Sequence, residues 1–200
     1  MLRLKKVAVT GSICSGKTTL GLFFEELGAC FINSDAIVHK LLKPTTPVGR
    51  KVIDLLGTEI VDGNDLNRKE IASRVFRDLP LLEKVEKAIH PAVQEVIETK
   101  YQKVSQTSCP LFIVENPLLF ESNQQELYDV IIVVIGNREV SQRRFLISTP
   151  YDIAEFERRD KRLIPIAQKC KQANFVVENF GSRSDLYFLA KKLFKDLKEE

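Results

Sequence analysis

The fold of this 200-residue chain is decided by the stretch Gly11-Ser12-Ile13-Cys14-Ser15-Gly16-Lys17-Thr18, which matches the pattern G-x-x-x-x-G-K-[ST] at every fixed position. A short apolar run ends just before it, and apolar residues with helical spacing follow it over residues 20–27. A glycine-rich turn between a strand and a helix directs backbone N–H groups inward, and the helix N-terminus adds partial positive charge. The stretch is therefore expected to bind phosphate groups, and we call residues 11–18 the P-loop.

The P-loop predicts that the protein binds a nucleoside triphosphate. Lys17 is expected to reach the β- and γ-phosphates, and the Thr18 hydroxyl is expected to coordinate Mg²⁺. The residues expected to contact ATP at this loop are Gly11, Ser12, Cys14, Ser15, Gly16, Lys17, Thr18 and Thr19. The motif alone leaves the fate of the γ-phosphate open, because switches, motors and kinases all contain it.

The remaining apolar pattern predicts an α/β fold. Near-continuous apolar runs at 111–114 and 130–135, with shorter ones at 29–33 and 175–177, are typical of strands buried on both faces. Because helical patterns separate these runs, we expect a three-layer α/β/α fold with a five-stranded parallel sheet. Ligands of such sheets bind outside the carboxyl ends of the strands, where the P-loop also lies.

The chain is expected to form one domain with three parts. The core comprises residues 1–47, 108–137 and 172–200. A mainly helical insertion spans 48–107, and within it His90-Pro91 interrupts an apolar stripe and predicts a kink or a break between two helices. Residues 138–171 are polar and predicted to be helical, and they contain nine basic and five acidic residues. Such a surplus usually marks a solvated face.

Composition limits the partners of the protein. Thirty Lys and Arg against 27 Asp and Glu give a net charge of +3, which is too small for a general nucleic-acid or membrane surface. The four cysteines lack metal-ligand spacing, so reduced and mostly buried thiols are expected. No run of 18 apolar residues is present. We expect a cytoplasmic protein, monomeric or weakly homo-oligomeric, that acts on a small molecule without nucleic-acid or membrane partners.

Two classes of P-loop protein fit the chain poorly. It has no Asn-Lys-x-Asp guanine-reading motif, and it is short for a motor or assembly ATPase. A small kinase remains, and it needs an acceptor site beside the P-loop. Asp35 follows the second predicted strand, where its carboxylate could take a proton from an acceptor hydroxyl or contact a metal through water. An N-cap for the next helix explains its position equally well.

Further motifs extend over nearly the whole chain. They are the P-loop, Asn33-Ser34-Asp35, Leu56-Gly57-x-x-Ile60, Asp62-Gly63-x-x-Leu66-Asn67-Arg68, Val75-Phe76, His90-Pro91, Pro117-Leu118-Leu119-Phe120-Glu121 and Asn179-x-Gly181. Together they resemble the dephospho-CoA kinase family, and the Pro-Leu-Leu-Phe-Glu run and the His-Pro pair are its most specific motifs. The resemblance implies a P-loop kinase fold, ATP and Mg²⁺ as cofactors, and phosphorylation of the ribose 3′-hydroxyl of dephospho-CoA, the last step of coenzyme A synthesis.

The resemblance also implies roles for individual residues. Asp35 matches the family's general base toward the 3′-hydroxyl, and Arg144 is expected to stabilise the transferring phosphoryl group. The residues implied at the nucleotide are Arg159, Asn179 and Gly181, and those implied at the acceptor are Arg68, His90, Pro117, Leu118 and Glu121. Residues 138–171, which we call the lid, would close over ATP and exclude water. Alternatively, His90 only marks a helix break, and residues 117–121 are a loop packed on its own apolar side chains.

Four positions depart from the family pattern. Asn33 replaces a usual Asp, so a metal or water role of that carboxylate falls to Asp35 or is absent, and Glu115 replaces another Asp with a side chain one methylene longer. The Mg²⁺ held by Thr18 is expected to be contacted, through water, by Asp35 or by Glu115. In the lid, Ser148 replaces a common Arg and Leu163 replaces a common Gln. Two rival functions are a kinase for another acceptor, of the nucleoside monophosphate or shikimate type, and a nucleotide-binding switch that has no acceptor.

Overall fold

The computed structural model describes residues 3–75 and 77–199, so Phe76 of the resemblance lies outside the described residues. The described chain forms two compact units. One combines the segments up to Asn33 and from Val104 onward, and the other spans Ser34–Lys103. The sequence predicts a helical insertion over 48–107, and the second unit begins earlier because it includes the helix that starts at Ser34.

The secondary structure alternates between strands and helices. The strands are β1 (Lys5–Gly11), β2 (Cys30–Asn33), β3 (Val61–Asp62), β4 (Asp65–Leu66), β5 (Leu111–Glu115), β6 (Val130–Gly136) and β7 (Phe175–Asn179). The helices are α1 (Lys17–Glu26), α2 (Ser34–Leu41), α3 (Pro47–Leu56), α4 (Arg68–Val75), α5 (Leu79–Val104), α6 (Arg138–Ser148), α7 (Ile153–Arg162), α8 (Ile166–Lys171) and α9 (Arg183–Glu199). Short 3-10 turns occur at Thr58–Ile60 and Gln125–Leu127.

A five-stranded sheet organises the first unit. Its order is β2-β5-β1-β6-β7, and every neighbouring pair is parallel, which confirms the predicted parallel sheet with flanking helices. Strand β5 is buried along its whole length, as expected for a near-continuous apolar run in a central strand. The register pairs Asn33 with Glu115 and Gly136 with Asn179 at the carboxyl ends of the strands. Four polar or small residues therefore meet along one edge of the sheet.

Helices α1 and α9 cover the sheet with a shared hydrophobic cluster. Leu20 and Phe24 of α1 are fully buried, and Phe24 stacks on Phe194 of α9 with ring centroids 6.4 Å apart. Burying each such side chain contributes roughly 1.5–3 kcal/mol of hydrophobic stabilisation. The cluster anchors the first turn of α1, and so it anchors the end of the P-loop.

The second unit has its own core, which α3, α4 and α5 share. Helix α5 runs continuously through His90 and Pro91, so of the two predicted outcomes, a kink or a break, the break does not occur. Pro91 removes one backbone donor, but Val85 and Val93 on either side are buried on the same helix and hold it together. The sequence also did not predict the antiparallel pair β3-β4, which is too short to leave an apolar alternation.

The lid contains three helices, α6 to α8. Asn137 and Asp152 cap α6 and α7, because their side chains accept hydrogen bonds from backbone N–H groups three residues later. The rings of Phe145 and Phe156 pack edge to face at 5.4 Å between the two helices.

The four cysteines are free as predicted, but each is partly buried rather than deeply buried. None of the helices described is both long enough and apolar enough to cross a membrane.

Candidate active site

The structure explains both fixed glycines of the P-loop, Gly11 and Gly16. Gly11 has φ of 143°, and a Cβ there would lie 2.0 Å from the carbonyl oxygen of Val134 on β6. Gly16 has φ of 98°, in the left-handed region that L side chains rarely adopt. The fixed glycines of the motif are therefore explained by close approach to β6 and by backbone conformation. The loop curls directly into α1 at Lys17.

Lys17 is folded back onto its own loop. Its side chain is buried, and Nζ donates a hydrogen bond of 2.7 Å to the carbonyl oxygen of Ser12. This contact holds the ammonium group inside the loop, where oxygen atoms of a bound phosphate could replace the carbonyl. The side chain of Ser15 is fully buried, so of the predicted nucleotide-binding residues this one can meet a ligand only through its backbone.

Thr18 faces a buried carboxylate at the end of β5. Its Oγ1 donates to Oε1 of Glu115 at 2.9 Å, and Nδ2 of Asn33 donates to Oε2 at 2.7 Å. Glu115 is only 4% exposed, so both carboxylate oxygens are held in fixed positions. Asn33 and Glu115, two of the four residues that depart from the family pattern, thus contact each other. Asn33 supplies a donor where a second carboxylate would repel Glu115.

The oxygen atoms of Thr18 and Glu115 fit a magnesium ion, which prefers hard oxygen ligands. Within residues 3–75 and 77–199 there is no group of three or more His, Cys, Asp or Glu side chains that could hold a metal alone. Magnesium in nucleotide sites is usually held by one or two protein groups together with substrate phosphates and water. The available donor set is therefore of the kind that such an ion needs.

Two lid arginines lie near the P-loop. Nη1 of Arg144 donates to the carbonyl oxygen of Cys14 at 3.3 Å. Arg159 donates through Nε to Glu155 at 2.7 Å and lies over the ring of Tyr151 at 4.5 Å. Burial raises the pKa of the Cys14 thiol, and the charges of Lys17, Arg144 and Arg159 oppose that shift. Three cations thus act on one position of the loop, as expected for a phosphate site.

The loop after β5 is held from two sides. The Pro117 carbonyl accepts a hydrogen bond of 3.4 Å from Thr10, and the side chain of Leu118 is exposed. Glu121 turns toward the lid: its Oε1 accepts from the backbone N–H of Ile164 at 2.9 Å and lies 2.7 Å from Nζ of Lys169. The contact with Lys169 is an ion pair without the alignment of a hydrogen bond.

Lys169 was not singled out from the sequence, where it is one of nine basic residues in a polar segment. In the structure it is 1% exposed, which makes it the most buried charged side chain of the lid. The run of charged residues around Lys169 does not indicate its burial, because that burial depends on how α8 packs against β6. It anchors the end of the lid to Glu121.

Asn179 is the last residue of β7, and Gly181 lies two residues further on. Nδ2 of Asn179 donates to the carbonyl oxygen of Ser15 at 2.8 Å, so this side chain contacts the P-loop itself. Gly181 precedes α9, and a Cβ at this position would lie 2.6 Å from a carboxylate oxygen of Asp185. Thr19 is half-buried in the first turn of α1.

The other predicted acceptor residues belong to the second unit. Asp35 is exposed in the first turn of α2, which begins at Ser34, so it lies inside the helix rather than at the N-cap. A carboxylate in a first turn is stabilised by the helix dipole. Arg68 is exposed at the start of α4, and His90 is partly buried in the middle of α5.

The sheet order, the P-loop after the first strand and the arginine-bearing lid helices define a P-loop phosphotransferase of the small-molecule kinase type. The dephospho-CoA kinase family model matches residues 5–185. A dephospho-CoA kinase of Protochlamydia amoebophila is 41% identical over 200 residues, which cover 99% of this chain and 98% of that protein. The chain belongs to the dephospho-CoA kinase family and is an enzyme, a kinase of a family that uses ATP.

Solved structures share the fold of this chain. A crystal structure of a Thermus thermophilus protein matches with a TM-score of 0.82 and 27% identity, covering 98% of each chain. A shikimate kinase from Bacteroides thetaiotaomicron matches with a TM-score of 0.55 and 17% identity, covering 96% of this chain and 98% of that one. At that identity the second match shows the shared fold alone. The family match therefore supports the dephospho-CoA kinase interpretation over the rival acceptors.

Proposed function

We propose that this protein transfers the γ-phosphoryl group of ATP to the ribose 3′-hydroxyl of dephospho-CoA, which gives coenzyme A and ADP. The observation that carries the proposal is the match to curated dephospho-CoA kinases over the whole chain, together with a P-loop in the required conformation. As in the sequence-based prediction, the chain is proposed to work as a single kinase domain made of core, insertion and lid.

The nucleotide side of the proposal rests on contacts within the first unit. Lys17 would exchange the Ser12 carbonyl for phosphate oxygens, and backbone N–H groups of residues 11–18 would bind the rest of the triphosphate. Mg²⁺ would be held by the Thr18 hydroxyl, with Glu115 in contact through water. When bound, the ion neutralises phosphate charge. Asn33 keeps Glu115 oriented by donating to its second oxygen.

The lid supplies further positive charge. Arg144 already reaches the P-loop at Cys14, and its guanidinium would stabilise the charge on the transferring phosphoryl group. Arg159 would be a second arginine that contacts the nucleotide, because Glu155 and Tyr151 hold its side chain in a defined orientation. Asn179, at the end of β7, and Gly181, just beyond it, would form the remaining part of the nucleotide site.

The acceptor side of the proposal rests on the family resemblance. Asp35 would accept the proton of the 3′-hydroxyl, and its position in an exposed first turn leaves the carboxylate accessible. Arg68 and His90 would contact the acceptor, as would Pro117 and Leu118. Glu121 would act from within this loop by holding it against the lid.

The proposal also includes a cytoplasmic location, a monomeric or weakly oligomeric state and the absence of nucleic-acid partners.

The test is an acceptor panel with release of ADP as the readout. Dephospho-CoA should stimulate ADP release, whereas shikimate and nucleoside monophosphates should not. The position of the new phosphate on the product is then read by ³¹P and ¹H NMR, with coenzyme A as the standard. The Lys17→Ala variant serves as control and should lose both nucleotide use and turnover. Stimulation by another acceptor, or nucleotide binding without any stimulation, would overturn the proposal.

A further inference from the structure

The carboxyl ends of β6 and β7 support one peptide of the P-loop. Gly136 and Asn179 are paired in the register of these strands. Nδ2 of Asn179 donates to the carbonyl oxygen of Ser15 at 2.8 Å. A Cβ at Gly136 would lie 2.9 Å from the Cα of Ser15, so the backbones are in close contact. The Ser15 carbonyl is therefore fixed by a residue 164 positions away in the sequence.

Fixing this carbonyl also fixes the next amide. In a trans peptide the C=O and N–H bonds point to opposite sides of the peptide plane. Because the Ser15 carbonyl points to Asn179 at the end of β7, the N–H of Gly16 points away from that strand end. Backbone N–H groups of this loop are the donors that bind phosphate oxygens. One of them is thus oriented before any ligand arrives.

The glycine at position 16 matches this arrangement. Its left-handed conformation, with φ of 98°, places its missing side chain toward Asn179. A Cβ there would lie 2.4 Å from Nδ2, too close for the amide to keep its hydrogen bond to Ser15. Gly16 and Asn179 therefore depend on each other, which the P-loop motif alone does not show.

We propose that Asn179 is a positioning residue for the phosphate site: it binds the Ser15 carbonyl and so holds the Gly16 N–H in the direction that a nucleotide phosphate needs. It acts through the P-loop and has no need to touch the nucleotide. The proposal rests on the proposed function in one respect, that the P-loop binds the phosphates of ATP. It adds a residue at the far end of the chain to the determinants of nucleotide affinity.

The main test compares two asparagine variants. Asn179→Ala removes the hydrogen bond to Ser15. Asn174→Ala is the matched control, because Oδ1 of Asn174 accepts a hydrogen bond of 2.8 Å from the backbone N–H of Ile131 near the other end of β7. ADP affinity is measured by calorimetry without acceptor, and the midpoint of thermal unfolding is measured in parallel. We expect ADP to bind about tenfold more weakly to Asn179→Ala and unchanged to Asn174→Ala.

A spectroscopic readout separates positioning from general weakening. In ¹H–¹⁵N spectra, the Gly16 amide of the wild type should shift strongly on addition of ADP, and this shift should shrink in Asn179→Ala. The isosteric Asn179→Asp variant keeps the packing but loses the hydrogen-bond donor, so it should bind ADP at least as weakly as the alanine variant. In steady-state assays KM for ATP should rise, while KM for dephospho-CoA stays the same.

Several outcomes would overturn the inference. One is that Asn179→Ala binds ADP as tightly as the wild type. Another is that the two alanine variants lose the same amount of ADP affinity, since this would show only an effect on stability. Full affinity in Asn179→Asp would show that packing, not the hydrogen bond, matters. Failure of the proposed function looks different: the wild type would bind ADP and show the Gly16 shift, yet phosphorylate no dephospho-CoA.

Discussion

The ion pair between Glu121 and Lys169 gives a prediction that can be worked out from the structure. Lys169 is 1% exposed and its Nζ lies 2.7 Å from Oε1 of a Glu121 side chain that is itself 15% exposed. The substitution Lys169→Met keeps an apolar side chain of similar length, but it leaves the Glu121 carboxylate poorly hydrated and without its cation. The backbone N–H of Ile164 still donates to Oε1 at 2.9 Å, but a neutral amide is a weak substitute for the positive charge of a lysine.

The expected magnitude follows from the cost of stranding a buried charge. Removing one partner of a buried pair typically costs about 3–5 kcal/mol. For a chain of this size that corresponds to a fall of roughly 6–20 °C in the midpoint of thermal unfolding. Glu121→Gln should be milder because the amide oxygen can still accept from Ile164, but it leaves the ammonium of Lys169 unpaired. Both single variants should therefore unfold earlier than the wild type.

The double variant Glu121→Gln/Lys169→Met tests the mechanism. Neither side chain then carries a charge, so its loss of stability should be smaller than the sum of the two single losses by roughly 1–3 kcal/mol. Stability is measured by urea denaturation, with Lys195→Met as control because the pair of Lys195 with Glu199 is exposed at 3.7 Å and contributes little. The double variant should also retain the wild-type KM for dephospho-CoA.

Three results would refute this reasoning. Additive losses in the double-mutant cycle would show that the two charges do not interact. An unchanged unfolding midpoint in Lys169→Met would show that Lys169 is hydrated in solution. A large rise in KM for dephospho-CoA in the stable double variant would show that Glu121 binds the acceptor directly, as the sequence resemblance implies, rather than holding the loop against the lid.

Asp35→Asn should lower kcat by about 10²–10⁴-fold while ATP affinity, measured by calorimetry, survives; near-normal turnover would remove Asp35 as the base. Gly11→Ala should lower the unfolding midpoint far more than Gly28→Ala, because a Cβ on Gly11 lies 2.0 Å from the Val134 carbonyl while Gly28, also at positive φ, has nothing within 4 Å; equal losses would rule out the clash. Burial raises the pKa of the Cys14 thiol, so less thiolate is present at pH 8 and iodoacetamide should alkylate it more slowly than a free cysteine peptide, as followed by mass spectrometry. An equal rate would contradict this.

Much of the fold could be read from consecutive residues. Apolar runs identified the five strands, and the P-loop marked the turn between β1 and α1, because both signals lie within short windows of sequence. The break that the sequence allowed at His90-Pro91 does not occur, because burial of both halves of α5 outweighs the loss of one backbone hydrogen bond. The sequence did not predict β3-β4, whose two-residue strands carry too little pattern to detect.

The sequence named the candidate site residues but not the contacts that they make. The residues of the P-loop, and Asp35 and Arg144 by resemblance, were named from the sequence. The partner of each was not. Asn33 and Glu115 were noted as separate departures, and only the alignment of β2 beside β5 brings them within 2.7 Å. The resemblance places Asn179 at the nucleotide, and only the structure shows that its side chain is bonded to the backbone of Ser15.

The sequence by itself determined the phosphate loop, the parallel sheet and the family, because local conformation and apolar periodicity depend on residues that are close along the chain. The tertiary structure decided which groups meet. The contacts of Thr18 with Glu115, Asn33 with Glu115 and Asn179 with Ser15 join residues 97, 82 and 164 positions apart. Strand order and register, together with the close packing of glycine backbones, bring these pairs to one edge of the sheet, and no pattern along the chain contains that information.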